Sequence, residues 1–383
     1  MSNTFNLLYY SNAFIVNHGG RLHSEAFLRE ARKNEKVNSI LIHPTPSLNA
    51  SGSATNSGWL RNKLKSYSLF QVLFFFRRNY RSFKEILPVI KASKIDCLHI
   101  RLDSNFLIIK NLRKLFPGLI ITTEVNASPF DENFKNIAFR NYFKKLERKS
   151  LQNANANFFV SGYLRNSIMK EVVENRDFVV HNGVDLDLFK CNIQKVESEI
   201  VTFGYVGTID YHKNLNILID AFVKIYQQFP GRVKLLIVGD GPMFLELKEY
   251  IKENKISEAV EFTGWVKHQN IVGYLNKIDI AIHHSANPYM SPLKIFEYMA
   301  VGLPVIAPDI PSVKEILIDG KDVLMVKTKT EDIVEKMVFF IKNKDKRESI
   351  ARAGQAKIRS NYGWSNNADK ILSVIQKKKH EDN

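Results

Sequence analysis

The chain has 383 residues, 45% of them hydrophobic, and 55 Lys and Arg against 39 Asp and Glu give a formal charge of +16. That apolar content and length suit two α/β domains better than one. Two cysteines, Cys97 and Cys191, are too few for a disulfide framework and fit a reducing compartment.

The N-terminus lacks the basic start and apolar run of a signal peptide. No apolar stretch approaches the ~20 residues of a bilayer span. The expectation is a cytoplasmic protein, soluble or resting on the inner face of the membrane. Positive charge of this size attracts nucleotides, nucleic acid or anionic headgroups without choosing among them. A nucleic-acid partner is not expected, because helix-turn-helix, zinc and aromatic-platform signatures are all missing.

Short β-rich runs at 5–10, 39–43, 97–101, 119–123, 156–160 and 178–181 read as buried strands, and patterns such as 20–33 and 131–151 as helices. This alternation predicts a parallel sheet covered on both faces. Residues 60–84 contain no acid, yet hold Arg61, Lys63, Lys65, Arg77, Arg78, Arg81 and Lys84. Leu69, Val72, Leu73, Phe76, Tyr80 and Phe83 recur there at helical spacing and read as a core face. Phe70, Phe74 and Phe75 lie off that stripe. Surplus aromatics beside Arg and Lys suit a helix resting on an anionic membrane surface; a helix packed on both sides is the alternative.

A turn-rich segment at 182–189 and a polar stretch to 199 end this half. A second alternation runs through 200–207, 233–239, 260–263, 278–283 and 304–306. The predicted organisation is a first domain over 1–185, a second over 190–360, and a C-terminal helix and tail over 361–383 that packs back toward the first. The fold class is α/β, with two Rossmann-like doubly wound domains facing a central cleft, where such sheets bind ligands at the carboxyl ends of their strands.

Three segments of the second half carry chemistry. Gly204-Tyr-Val-Gly207-Thr208 ends a strand and leads through Lys213 into a helix. Glycine admits a ligand to the backbone, a helix start favours anions, and lysine adds a point charge. Val238-Gly239-Asp-Gly241-Pro242 follows the next strand and opens another helix. Each of these is also an ordinary strand-to-helix turn. Ser291-Pro292-Leu293-Lys294-Ile-Phe-Glu297-Tyr-Met-Ala-Val-Gly302 reads as a short helix between two strands, capped by Ser291 and Gly302. Lys294 and Glu297 share one face. That helix start with Lys294 fits a diphosphate, and Glu297 fits ribose hydroxyls. A plain surface ion pair is the alternative.

In their joint order these segments resemble the retaining GT-B glycosyltransferases of family 4 (glycosyl transferases group 1). Supporting elements are Phe262-Thr-Gly264-Trp265-Val266, Met299-Ala-Val-Gly302-Leu-Pro304-Val305, Val313-Lys-Glu315 with Asp319-Gly320, His181-Asn182-Gly183-Val184-Asp185 with Phe189, and Asn17-His-Gly19-Gly20-Arg-Leu-His23. The resemblance implies a nucleoside-diphosphate-sugar donor, a glycan or lipid-linked acceptor of surface polysaccharide or glycolipid synthesis, retention at the sugar carbon, and neither cofactor nor essential metal. It implies that Lys213 meets the diphosphate, that Ser291, Pro292 and Leu293 cradle it, and that Glu297 holds the ribose. Trp265 and Val266 would flank the base, Gly207, Thr208 and Gly239 would line the donor site, and Gly19 and Gly20 would approach it from the first domain. Lys213, Lys294 and Glu124 are the candidate catalytic residues, with Asn126 beside Glu124 at a strand end.

Two positions depart from the family pattern. Thr208 stands where an arginine is usual, and Tyr289 where a second acid is frequent. Lys294 is the candidate to supply the charge missing at Thr208. Asp185-Leu-Asp187 mimics a metal motif but reads as part of the inter-domain loop. A nucleotide-sugar epimerase, or a binding protein of this fold without transfer activity, are the competing functions.

Overall fold

The computed structural model describes residues 4–15, 19–44, 67–190, 198–291 and 293–381. The expectations placed on Asn17, His18, Arg61, Lys63, Lys65, Cys191 and Pro292 lie outside them. Contacts divide the chain into two compact units, Met1–Asn182 with Trp364–Asn383, and Gly183–Gly363.

The first unit is built on strands β1 (Phe5–Ser11), β2 (Val37–His43), β3 (Cys97–Arg101), β4 (Ile120–Val125), β5 (Ala156–Phe159) and β6 (Asp177–Val179). All pair in parallel, in the order β2-β1-β3-β4-β5-β6. The chain therefore reverses its direction of travel across the sheet between β1 and β3, the switch point at which such sheets open a crevice. Strands β1, β3, β4 and β5 are nearly continuous buried runs, as helices on both faces require. Strand β2 corrects the reading of 39–43 as buried. It lies at the sheet edge with one neighbour, and none of its residues is buried. The Trp364–Glu381 helix belongs to this unit: Ala368, Ile371, Leu372 and Ile375 share a core with Phe5, Leu7 and Phe27, and Asn367 Nδ2 donates to the His181 carbonyl at 2.8 Å.

Two helical expectations shift. The helix expected over 131–151 begins at Arg140. The residues before it form turns, with Asp131 N donating to Ser128 O and Phe134 N to Pro129 O, and Phe139 sits at φ 57°, outside the right-handed helical region. The Ser68–Ala92 helix exists, but its faces are reversed. Its buried residues are Gln71, Phe75, Asn79, Ser82, Ile86 and Ile90, while Leu69, Leu73, Phe76 and Tyr80 are exposed. Phe75 meets the rings of Phe106, Phe130, Phe134 and Phe143. Asn79 donates to Phe75 O and Ser104 O and accepts from Leu107 N. An aromatic anchor and a satisfied buried amide outweigh the more apolar stripe.

The second unit contains β7 (Val201–Val206), β8 (Val233–Val238), β9 (Val260–Phe262), β10 (Ile280–Ile282), β11 (Val305–Pro308) and β12 (Leu324–Val326), parallel throughout and ordered β12-β11-β10-β7-β8-β9. Counted from β7 this is the 3-2-1-4-5-6 order of a Rossmann sheet. Cores lie on both faces, one including Phe203, Leu235 and Ile237, the other Val206, Leu236 and Ala281. The switch point falls between β7 and β10.

Candidate active site

The ends of β7 and β10 bring the sequence-predicted lysines together. Beyond β7, Tyr205 Oη donates to Thr208 O at 3.1 Å, and Lys213 closes the turn Tyr211–Lys213 with its N–H on Asp210 O. Asn214, at φ 50°, then starts the Leu215–Gln228 helix. Asn214 Nδ2 donates to Ser285 Oγ at 3.0 Å, and His284 Nε2 donates to Asn214 O at 3.0 Å. These bonds tie the β7 loop to the segment beyond β10.

Lys213 is half-buried; burial lowers its pKa, and Asp210 opposes that shift. His283 and His284, at the end of β10, are buried. Burial pushes His284 down to about 4. Burial, then Lys213, His284 and Lys294, push His283 down to about 3. Both lysine charges therefore reach one neutral imidazole. Two lysines near an imidazole that stays neutral bring positive potential to this strand end, which Asp210 and Glu297 offset in part.

The strand ends approach so closely that glycine is required. Gly239 adopts φ 146°, and a Cβ there would stand 1.9 Å from Gly207 O. Gly239 N donates to Gly264 O at 3.1 Å and Gly207 N to Val238 O at 3.0 Å. Gly207 is partly exposed and Thr208 exposed.

The Leu293–Ala300 helix follows β10. It buries Ile295, Phe296, Tyr298, Met299 and Ala300. Tyr298 Oη accepts from Val206 N at 2.8 Å and donates to Val206 O at 3.2 Å, fastening the helix to β7. This attachment fixes Glu297 on the next position. Its carboxylate, 8% exposed, lies 2.7 Å from Lys294 Nζ and 3.0 Å from His268 Nε2. Burial pushes the Glu297 pKa up, but Lys294 and His268 together outweigh it and the net shift is downward. Lys294 is thus shared with Glu297 rather than standing as an isolated charge. Ser291 is buried and Leu293 half-buried ahead of the helix. Tyr289 is buried, its hydroxyl accepting from Asn287 Nδ2 at 3.1 Å. Trp265 is 67% exposed, whereas Val266 packs on the core. Asp185 Oδ1 accepts from the N–H groups of Asp187 and Leu188, the bonds of a loop cap.

The first unit has its own polar cluster at the ends of β3 and β4. The buried Glu124 lies 3.1 Å from Arg101 Nε, 3.2 Å from His23 Nε2 and 3.9 Å from His99 Nε2, and it accepts from Asn126 Nδ2 at 2.5 Å. Burial pushes its pKa up, yet His23, Arg101 and His99 more than reverse this, leaving it well below the carboxylate range. A carboxylate so held is a weak base and an effective anchor for cations. His99 is itself pushed down to about 4, by burial first. Gly19 and Gly20 start the Gly19–Ala31 helix that carries His23. Sequence reasoning did not assign His23, His99, Arg101, His268 or His283. The only signal was a basic residue type, scattered over a helix, strands and a turn, which carries little information without the fold.

Residues 190–357, which make up most of the second unit, match the model of Glycosyl transferases group 1. The Streptococcus pneumoniae protein named alpha-monoglucosyldiacylglycerol synthase is 25% identical over 256 residues, 63% of this chain and 58% of the relative. The Mycobacterium tuberculosis phosphatidyl-myo-inositol mannosyltransferase is 26% identical over 205 residues, 51% of this chain and 53% of the relative. The chain thus spans little more than half the length of these relatives. Among solved structures, the Anabaena protein HepE, determined with UDP, superposes with TM-score 0.71 at 15% identity, covering 98% of this chain and 100% of that one. Sucrose-phosphate synthase from Thermosynechococcus elongatus gives 0.74 at 15% identity, covering 97% and 98%. A glycosyltransferase from Rickettsia africae gives 0.72 at 18% identity, covering 98% and 99%. The fold is that of GT-B proteins, two Rossmann-like doubly wound units.

Proposed function

We propose that the protein is a retaining glycosyltransferase whose second unit binds a nucleoside-diphosphate sugar and whose acceptor is a glycan or a lipid-linked molecule of surface polysaccharide or glycolipid synthesis. The observation that carries this is the grouping of Lys213, Lys294 and Glu297 around the β7–β10 switch point.

In the proposed reaction the sugar–phosphate bond breaks, and negative charge grows on the diphosphate. Lys213, with Lys294 beside the start of its helix, stabilises that charge, and fixed donors of this kind act more strongly in a half-buried site than in water. Ser291 and Leu293 line the diphosphate, Glu297 accepts from the ribose, and Gly207, Thr208 and Gly239 leave room for the donor. Trp265 and Val266 flank the base, and Gly19 and Gly20 serve the first unit's side of the reaction. Glu124 holds Arg101 and His23 in that unit. With lysines facing the diphosphate, neither a metal nor a cofactor is required.

An anionic membrane surface is the proposed second partner. Leu69 and Leu73 are each 65% exposed on the Ser68–Ala92 helix, with Phe70, Phe76 and Tyr80 also exposed and Arg77, Arg81 and Lys84 among them. The exposed Phe139 and Tyr142 are near its start, where Ala138 N donates to Ser68 O at 3.1 Å. Apolar rings with interleaved cations match a headgroup layer. No helix among the described residues is long and apolar enough to cross a membrane, so the contact would be peripheral, on the cytoplasmic face.

Thermal denaturation with UDP, GDP, ADP and CMP in turn tests the donor site. A ligand at ~100 times its dissociation constant adds about 2.7 kcal/mol. One nucleotide should raise the transition temperature, and Lys213→Ala and Glu297→Ala should abolish the rise. A rise retained in both variants would refute the assignment.

A further inference from the structure

We propose that His268 is a positioning residue that sets the Glu297 carboxylate for a vicinal diol, and so determines how strongly the site prefers a ribonucleotide to a deoxyribonucleotide; this rests on Glu297 being the ribose acceptor. An ionised carboxylate offers two oxygens and about four acceptor positions. Lys294 Nζ occupies one on Oε2 and His268 Nε2 one on Oε1. Because the carboxylate only accepts, Nε2 of His268 carries the proton of that bond. Among the described residues one position then remains on each oxygen, the number that the two hydroxyls of a ribose require.

The two anchors differ in stiffness. Lys294 reaches Glu297 from the same helix, three residues away, on a stem of four methylenes that allows many rotamers. His268 comes from another segment, the turn His268–Asn270 three residues beyond Trp265, and its ring is set at 64° to that of Phe189 with centroids 5.6 Å apart. A rigid ring from one side and a flexible ammonium from the other fix the plane of the carboxylate, which neither does alone. Glu297 is only 8% exposed, so water replaces a missing hydroxyl poorly. An acceptor left unpaired in such a site is the strong form of discrimination.

The test measures, by titration calorimetry, UDP, GDP and ADP each against its 2′-deoxy counterpart. The variants are His268→Phe, which keeps a ring on Phe189 but has no N–H, and His268→Gln, which restores a donor. The expected result is a wild-type preference of ~10-fold or more for the ribonucleotide. In His268→Phe it should fall to ~3-fold or less through weaker ribonucleotide binding, with deoxyribonucleotide binding unchanged. His268→Gln should recover part of the preference, which also guards against a His268→Phe protein that folds poorly. A wild-type preference kept in both variants, or both nucleotides weakened equally, would overturn the role of His268 while leaving the donor site intact. Failure of every nucleoside diphosphate to bind the wild type would overturn the donor-site assignment and this role with it.

Discussion

Replacing Gly239 by alanine tests how tightly the strand ends of the second unit are packed. A Cβ at that position would lie 1.9 Å from Gly207 O and 3.0 Å from Gly207 C. Both atoms are backbone, so no side-chain rotation relieves the overlap. Gly239 also holds φ 146°, a conformation that costs an L-residue ~1–3 kcal/mol. Moving the two strand ends apart strains the bonds of Gly207 N to Val238 O and of Gly239 N to Gly264 O, each worth ~1 kcal/mol net. The sum is about 4 kcal/mol.

In a unit of this size, where 1 kcal/mol moves the melting point by about 2–4 °C, Gly239→Ala should lower the transition of the second unit by roughly 8–16 °C in scanning calorimetry. Gly273 is the internal control. A Cβ there meets nothing within 4 Å, and it lies within the Ile271–Leu275 helix, where alanine is the better residue by ~0.5–1 kcal/mol. Gly273→Ala should therefore leave the transition unchanged or raise it slightly. A Gly239→Ala protein that melts within about 2 °C of wild type would refute the close-packing account.

Lys294→Ala should cost about 1 kcal/mol, since the ammonium is a quarter exposed and partly screened. Because Lys294 lowers the folded pKa of Glu297, that loss should be complete near pH 7 and vanish as pH falls through the folded pKa, and denaturation midpoints at pH 7 and pH 3 check it. Glu147 is buried in the first unit, accepting from Ser128 Oγ at 2.9 Å, and burial pushes its pKa up to about 8. Its neutral form is favoured by folding, so the wild type should lose stability as pH rises from ~4.3 toward 8. Relative to wild type, Glu147→Gln should gain about 4 kcal/mol between pH 5 and pH 8, since each pH unit in that interval is worth about 1.4 kcal/mol; a difference that stays flat with pH would contradict this. Leu69→Glu with Leu73→Glu should abolish flotation with vesicles rich in anionic lipid and leave nucleotide binding and melting intact, because both side chains are 65% exposed. Equal flotation of wild type and variant would remove this helix from the membrane surface.

The strands were legible because strands buried on both faces must be nearly continuous apolar runs, and β1, β3, β4, β7 and β8 are. Strand β12, three residues of Leu-Met-Val, offers no period and was not foreseen. The exposure of β2 depends on its place at the sheet edge, which no local pattern encodes. Glu297, Lys213 and Lys294 could be named because each sits in a motif whose residues also build the turn or helix around it. His268, His283 and Arg101 could not, since each is a single residue outside any such motif, and its partner is brought from elsewhere by the topology.

The Ser68–Ala92 helix shows why pattern alone chose the wrong face. Its more hydrophobic stripe, Leu69, Leu73, Phe76 and Tyr80, has as good a helical period as the buried set, and the buried set includes Gln71, Asn79 and Ser82. Transfer energies alone favour burying the stripe. What decides is specific. Phe75 finds four aromatic rings, and the Asn79 side chain makes three hydrogen bonds that no leucine could replace. Burying Asn79 with its bonds satisfied costs little, while the apolar stripe remains outside, beside arginines and a lysine. Among the described residues, this helix keeps its greasier face exposed, and exposed apolar area of that kind marks an interaction site. The same residue choice that misleads a periodicity argument is therefore the observation that favours a membrane-facing role for this helix.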